Sequence, residues 1–436
     1  MLSIFNISLL LKGFPLKKAT TIYAEIKSTA PDKRTETNEQ KRNEIVSYHL
    51  KNNPFYRDFV NGIDCNVWKN IPTMSKKDFQ IPLEKRLSDG FTKKNSYINK
   101  TSGSSGNPFI FAKDKLCHAL TWIDIQEKFG WYQIDFNHSL QARFYGIPLD
   151  YWANKKEKFK DFLSRRHRFS IFDLSDKKLD EILKTFKKKK FDYINGYTTA
   201  IVLLAKYLER NNLVLKNECS TLRYCIVTSE MLLESDKKLL EKHLGVPVLN
   251  EYGASEVGLI AFENLNNDWL INTETLFVEI LDENNNPVPN GSEGKIVITS
   301  LYNKAHPIIR YDIGDIGIID EKSTPTRQIL KKLVGRTNDF AHTPSGKKVA
   351  GMTFYSMTKK IMEEDGTIQE FIVRQKKLDT FCVEYVAKDN LLPEKEKQIM
   401  DAFSMFLEPN LIIEFIKKSH LETKSSGKRQ QFISEL

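Results

Sequence analysis

Between Thr101 and Val334 the chain repeatedly exchanges one hydrophobic period for another, and this exchange restricts its fold more than any other feature. The run "TLRYCIVTSEML" concentrates β-branched and aromatic residues as a buried strand does, then ends in a turn. "ESDKKLLEKHLGVPV" follows with helical spacing, a Ser235 cap, a Gly245 stop and a new apolar run. Leu179, Ile182, Leu183 and Phe186 likewise fall on one helix face, and Lys187 to Lys190 stand where cations complement the helix dipole. Strands that alternate with one-sided helices must stack in layers, because each apolar stripe needs a sheet to cover it. The expectation is an α/β protein whose N-terminal body, residues 1–334, holds two sheets flanked by helices. Two β-runs joined by an Asn, Pro and Gly turn in "LFVEILDENNNPVPNGSEGKIVITSL" make that body more antiparallel towards its end. Up to about Ile98 the chain reads as largely helical, with "IPTMSKKDF" as a Pro and Ser turn. The opening apolar run is interrupted by Lys12 and too short to span a bilayer, so it reads as a packed helix.

Past Gly335 the texture changes. A helix from about Met352, the strands "IQEFIVRQ" and "TFCVEYVA", a helix after "LLPEKEKQ" and the strand "LIIEFIKK" predict a small α+β domain over residues 335–436. Gly335, in "LVGRTND", stands at the joint.

The formal charge of +10 points to anionic partners such as nucleotides, coenzyme A or a phosphorylated acceptor. Nucleic acid is set aside, since no basic stretch is interleaved with aromatics. Five cysteines show no CxxC pair and no cysteine–histidine spacing suited to zinc, and their odd number points to a reducing cytoplasm. Cys117 and His118 are sequence neighbours, which face apart on a helix or strand, so they read as structural.

Five pieces carry chemistry. In "NKTSGSSGNPFIFAKDK", Gly103 and Gly106 allow backbone N–H groups to turn inward, and Thr101, Ser102, Ser104 and Ser105 add hydroxyl donors for phosphate oxygens. Asn107-Pro108 after Gly106 excludes a Walker loop, and GxGxxG is absent. In "LNEYGASEVGLIAFEN", Tyr252 offers a flat face to a purine, Gly253 permits close approach, and Glu256 after Ser255 is a hard oxygen ligand for Mg²⁺. "HPIIRYDIGDIGIID" reads as a strand broken at Gly314 that leaves Asp315 at a bend, with Asp312 competing to hold a ribose diol. "VGRTNDF" supplies Arg336, a fork of donors for ribose or phosphate. "ETKSSGKRQQF" puts Lys428 after Gly427 in a tail.

In this order the pieces form a Ser/Gly loop, YGxSE, RYxxGD, GRxxD and a near-terminal GK. The chain thereby resembles the adenylate-forming superfamily over nearly its whole length, and within it the phenylacetate–CoA ligase branch, including members tied to capsular polysaccharide biosynthesis. "NNPFYRDFV", "INGYTTAIVLLAKYL" and "CIVTSEMLL" also look like that branch. The resemblance implies that the Thr101–Pro108 loop wraps the ATP phosphates, that Tyr252 with Glu251 beside it meets adenine, and that Ser255 contacts the α-phosphate. It implies Glu256 on Mg²⁺, Asp315 and Arg336 at the ribose, and Lys428 bridging the acyl carboxylate and α-phosphate from a mobile C-terminal domain that turns about a hinge at Asn338. An acyl pocket is expected between Phe144 and Ala254, with Tyr145, Tyr197 and Ala254 lining it. The implied reaction is ATP-dependent acyl-adenylate formation followed by transfer to CoA. Transfer to an amine or hydroxyl on a sugar nucleotide or carrier protein is the alternative, and a nucleotide-binding scaffold without turnover is a third. The presence of both Glu256 and Lys428 argues against that third reading. Departures from the family are Asn107, where many relatives carry Lys, Asn338, where Asp or Lys is frequent, and YDIGD in the ribose motif.

Overall fold

A computed structural model describes residues 4–436 apart from 102–108, 147–150, 337–339, 352–354, 356–358, 360, 363–367 and 422–430. The N-terminal segment is α1 (Ile4–Leu11), α2 (Leu16–Ser28), α3 (Pro31–Asn52) and α4 (Pro54–Phe59). Helix α1 is packed as expected, with Phe5 and Leu9 buried. The helical expectation up to Ile98 fails after Phe59: turns and two short 3₁₀ segments lead to the hairpin of β1 (Tyr97–Lys100) and β2 (Ile110–Lys113). Those turns are held from a distance, not by a local period. Arg86 is buried and bonds the carbonyls of Ile81 and Ile110, while its Nη1 meets His306. Asn53 caps α4 and donates to Arg86 O and Ser88 Oγ.

Helix α5 (Lys115–Gly130) starts at Asp114, whose carboxylate accepts from the N–H groups of Leu116 and Cys117. The strands β3 (Gln141–Phe144), β4 (Arg166–Phe169), β5 (Tyr193–Tyr197), β6 (Tyr224–Thr228), β7 (Val248–Ala254), β8 (Gly258–Glu263) and β9 (Trp269–Ile271) form one sheet in the order β4-β3-β5-β6-β7-β8-β9. Pairing is parallel as far as β7 and antiparallel beyond it. Helices α6 (Tyr151–Leu163), α7 (Asp176–Lys188), α8 (Thr198–Arg210), α9 (Leu215–Glu218) and α10 (Glu234–Leu244) connect its strands. Side chains alternate across the sheet. Ala142, Phe144, Ile194 and Val227 pack with α7, α8 and α10, whereas Tyr193, Ile226 and Leu249 pack with α1, α2 and α5. Leu179, Ile182, Leu183 and Phe186 of α7 are all buried, as their spacing predicts.

The cap of α10 differs from expectation. Leu233 occupies the N-cap without a side-chain bond, and Ser235 lies inside the first turn between Glu234 and Asp236, whose charges suit the positive helix end. Gly245 closes the helix in the left-handed region.

A second sheet holds β10 (Leu276–Leu281), β11 (Glu293–Ser300), β12 (Tyr311–Ile319) and β13 (Leu330–Arg336) in that order. Strands β10 and β11 form the expected antiparallel pair. Strand β12 is continuous where a break at Gly314 was expected, because Gly314 absorbs the irregularity with φ of +84°.

The chain divides into two compact units, Met1–Ile313 with Gly317–Lys332, and Gly314–Ile316 with Leu333–Leu436. In the second, β14 (Phe340–His342) pairs β15 (Lys348–Ala350), a hairpin absent from the sequence reading. Strands β16 (Ile368–Gln375), β17 (Thr380–Ala387), β18 (Ile412–Lys417) and β19 (Phe432–Ser434) are ordered β18-β17-β16-β19, with α11 (Pro393–Phe406) between β17 and β18.

Candidate active site

The base of the Ser/Gly loop is closed by Thr101. Its backbone N–H donates to Phe109 O and its Oγ1 accepts from Phe109 N–H, both at 3.0 Å. Thr101 is buried, so its hydroxyl serves as the clasp between β1 and β2. Ser102, Gly103, Ser104, Ser105 and Gly106 lie outside the described residues, as do Asn107, Asn338 and Lys428.

Strand β2 ends in Lys113, which is buried and places Nζ 3.5 Å from Thr121 Oγ1 on α5. Burial pulls its ammonium pKa below the usual lysine range, while Cys117 and the Glu256 carboxylate act in the opposite direction. Glu256 stands in the turn between β7 and β8. It too is buried, and Tyr311 Oη of β12 donates to its Oε1 at 3.0 Å. The same turn ends at Gly258, with φ of +102°, where a Cβ would meet Thr121 Cγ2 at 2.8 Å. At Gly253 a Cβ would approach Gly258 O to 2.9 Å, so the bulge between Tyr252 and Gly253 leaves no space for a side chain. Ser255 is exposed at the tip, and Tyr252 is buried with its ring edge-on to Trp269 at 6.1 Å. Glu251 accepts from Thr228 Oγ1 at 2.9 Å across the β6–β7 pair; burial raises its carboxyl pKa against the pull of that hydroxyl and of Arg143.

The sheet reverses its strand order at β3, which has β4 on one side and β5 on the other. In open α/β sheets, ligands bind outside the carboxyl ends of the strands at such a switch. Tyr145 and Tyr197 follow and end those strands with ring centroids 4.8 Å apart. Tyr145 Oη donates to Asn195 at 3.3 Å, and the Arg143 guanidinium lies 3.8 Å from the Tyr145 ring centre. Ala254, half-buried, ends β7.

In the second unit, Arg336 Nε and Asp315 Oδ1 form an ion pair at 3.2 Å. Asp315 occupies the buried phase of β12 and Asp312 the other. Cys117 and His118 form no dyad. Burial pushes the thiol up to about 12 and the imidazole down to about 3; His118 Nε2 accepts from Trp122, and its ring stacks on Tyr97 at 3.7 Å. A cleft of about 270 Å³ lined by Arg42, Trp68, Phe277 and Glu279 contains none of these residues.

A sequence profile described as AMP-binding enzyme matches residues 162–303, the segment that carries the Glu256 turn. Over that segment the chain matches the AMP-binding, adenylate-forming superfamily. It is 23% identical to Protein CapK of Staphylococcus aureus over 423 residues, which cover 92% of this chain and 89% of that protein. A phenylacetate–coenzyme A ligase of Thermus thermophilus is 28% identical over 130 residues, 27% of this chain and 28% of that one. Among solved structures, a 2-hydroxyisobutyryl-CoA ligase in complex with R3-HIB-AMP superposes with a TM-score of 0.70 at 15% identity, covering 94% of this chain and 91% of that one. The amide bond synthetase McbA from Marinactinospora thermotolerans superposes at 0.53 with 14% identity, covering 80% and 70%. The fold is therefore that of the superfamily, a large α/β body with mixed sheets and a small α+β region.

Three basic residues escaped the sequence reading. Lys113 had one signal, a charge inside the apolar strand "FIFAKD". Arg143 and Arg166 had another, arginines inside short strands of the α/β body, in "QARF" and "RHRF". Among the described residues no group of three metal-ligating side chains occurs. No helix among them is long and apolar enough to cross a membrane.

Proposed function

We propose that the protein uses ATP to activate a carboxylic acid as an acyl-adenylate and then transfers the acyl group to CoA. In the first step a carboxylate oxygen attacks the α-phosphorus, the bond to the β-phosphate breaks, and pyrophosphate leaves. In the second the CoA sulfur attacks the acyl carbon, its proton passes to solvent, and AMP leaves.

The observation that carries this reading is the buried Glu256 carboxylate, anchored through one oxygen by Tyr311 while the other takes no hydrogen bond from the described residues. That donor set fits Mg²⁺, which would supply charge neutralisation at the phosphates. Lys113 sets an ammonium behind the same turn, in a chain whose phosphate loop carries Asn107 in place of lysine. The meeting of a carboxylate with a phosphate is opposed by like charge, so fixed cations in a dry site lower the barrier most. Tyr252 would meet adenine, Ser255 the α-phosphate, and the Asp315–Arg336 pair the ribose. Lys428, from a C-terminal lid over residues 335–436 hinged at Asn338, would bridge the two reacting anions.

The test is incubation with ATP, Mg²⁺ and a panel of carboxylates, following pyrophosphate and AMP with and without CoA. Pyrophosphate release with AMP that requires CoA is expected. Adenylate that discharges only onto an amine, hydroxyl or carrier protein overturns the CoA step and keeps the first. No pyrophosphate with any acid overturns both.

A further inference from the structure

Strand β4 carries two arginines in the same phase, and the structure treats them differently. Arg168 is paired: its Nε and Nη2 bond Asp161 at 2.6 and 2.9 Å, and Nη2 also reaches Glu157 at 3.3 Å. Arg166, two residues earlier, makes no hydrogen bond or ion pair among the described residues, and its Nε is sealed from solvent. Arg143 on the adjacent strand β3 is similar. Its Nε is sealed and unbonded, Nη1 reaches Gln141 Oε1 at 3.3 Å, and its plane lies on Tyr145. Gln141 is itself fixed by donating to Tyr193 Oη at 3.0 Å, so Arg143 is held in place by a neutral partner.

The registers Gln141↔Arg166 and Arg143↔Asn195 put both arginines in the phase of Tyr193 and Asn195 on one sheet face, with Arg166 opening β4 at the level of Gln141 and Arg143 one step nearer the carboxyl end of β3. Arg166 is half-buried, and burial together with the Arg143 charge pulls its pKa down to about 10. Asp161 acts on Arg166 and Glu251 on Arg143, but Asp161 is bonded by Arg168 and Glu251 by Thr228. Two covered cations of like charge with no carboxylate bonded to them among the described residues are costly to a fold, and an anion that enters between them relieves both desolvation and repulsion.

We infer that Arg143 and Arg166 hold a second anionic group on the acyl substrate, so that the acid activated is a dicarboxylate or another acid with a distal anion. Tyr145 and Tyr197 would then flank the carbon chain between its two charged ends. The inference rests on the adenylation reading above and narrows its substrate class.

Pyrophosphate exchange is compared for malonate, succinate and glutarate against propionate, butyrate and valerate. The proteins are the full chain and its Arg166→Met, Arg166→Lys and Arg143→Met variants. The expected result is a preference for at least one diacid over the monoacid of equal length. Its kcat/KM should fall about 10- to 100-fold in Arg166→Met, and partly recover in Arg166→Lys, with the monoacids unmoved. Equal use of both series by wild type, or an equal loss for both in Arg166→Met, overturns the inference and leaves adenylation standing. If no acid supports exchange, the adenylation reading fails. The arginine pair is then judged by calorimetry with succinate and with inorganic phosphate. Succinate binding that disappears in Arg166→Met supports the site; phosphate binding alone, or no binding to wild type, overturns it. Melting curves of each variant confirm that it is folded.

Discussion

Removing the Tyr311 hydroxyl isolates the anchor of the Glu256 turn. In Tyr311→Phe the ring keeps its edge contacts with Phe79 and Phe109 at 5.7 and 6.1 Å, so packing is preserved and no ring-sized cavity opens. The change costs Glu256 a 3.0 Å hydrogen bond in a buried setting. A bond to a charged group is worth about 1.5–3 kcal/mol, and the carboxylate loses solvation it cannot regain from water. Tyr56→Phe is the matched control, because the Tyr56 hydroxyl is equally buried but has no hydrogen-bond partner among the described residues. There the substitution removes an unsatisfied polar atom and is expected to be neutral or to stabilise by up to about 1 kcal/mol. Urea unfolding followed by tryptophan fluorescence reads both changes. Pyrophosphate exchange titrated with Mg²⁺ reads the second consequence of Tyr311→Phe. A carboxylate released from its anchor should raise the half-saturating Mg²⁺ concentration about tenfold, corresponding to about 1.4 kcal/mol of lost positioning. Equal stabilities for Tyr311→Phe and Tyr56→Phe, with an unchanged Mg²⁺ titration, would refute the reasoning.

Lys428→Ala should lower the adenylation half-reaction by on the order of 10²–10³, as loss of one prepositioned charge does; near-normal exchange removes Lys428 from its role. Lys128, buried on α5, is ion-paired with Asp124 at 3.1 Å and Glu274 at 3.4 Å, and these carboxylates raise its pKa although burial alone would lower it. Lys128→Met strands two buried carboxylates and should cost about 3–5 kcal/mol, with much of it recovered in Lys128→Met/Asp124→Asn. A double variant as unstable as the single one contradicts the pairing. His49 donates from Nε2 to Asn303 O and accepts at Nδ1 from Ser88, and burial lowers its pKa to about 4. A folded value below the unfolded one of about 6.5 means that the unfolded chain binds the proton first. Stability is therefore full above pH 6.5 and declines as pH falls towards 4, by about 3 kcal/mol from this group. A melting temperature that does not change between pH 7 and 5 rules it out.

What the sequence disclosed follows from how local the cause is. Helix α7 and the β10–β11 pair were legible because a period of 3.6 or 2 and a turn of Asn, Pro and Gly are written within a few residues of the elements they form. The stretch from Val60 to Ser96 was not, because its turns take their order from Arg86 reaching Ile110 and His306, and from Ser88 reaching His49. Strand β19 is three residues long and has no period of its own; it exists through its parallel register with β16. The turn that carries Glu256 is written locally as a motif, whereas the residues around its carboxylate, Tyr311 and Lys113, arrive on other elements. Arg143 and Arg166 were visible as charges, but that no described carboxylate bonds either arginine emerges only once the sheet has placed its neighbours.

Strand β12 contributes Gly314–Ile316 to the second unit while Tyr311 and Gly317–Ile319 stay with the first. The smaller unit is thus not a contiguous cassette. A chimera or truncation spliced near residue 333 would carry Arg336 away and leave Asp315 in the donor, dissolving the ion pair between them. Exchange of C-terminal regions between relatives should preserve function only when the graft also transplants the Gly314-Asp315-Ile316 triplet, or when the recipient already supplies an aspartate at that step of the strand.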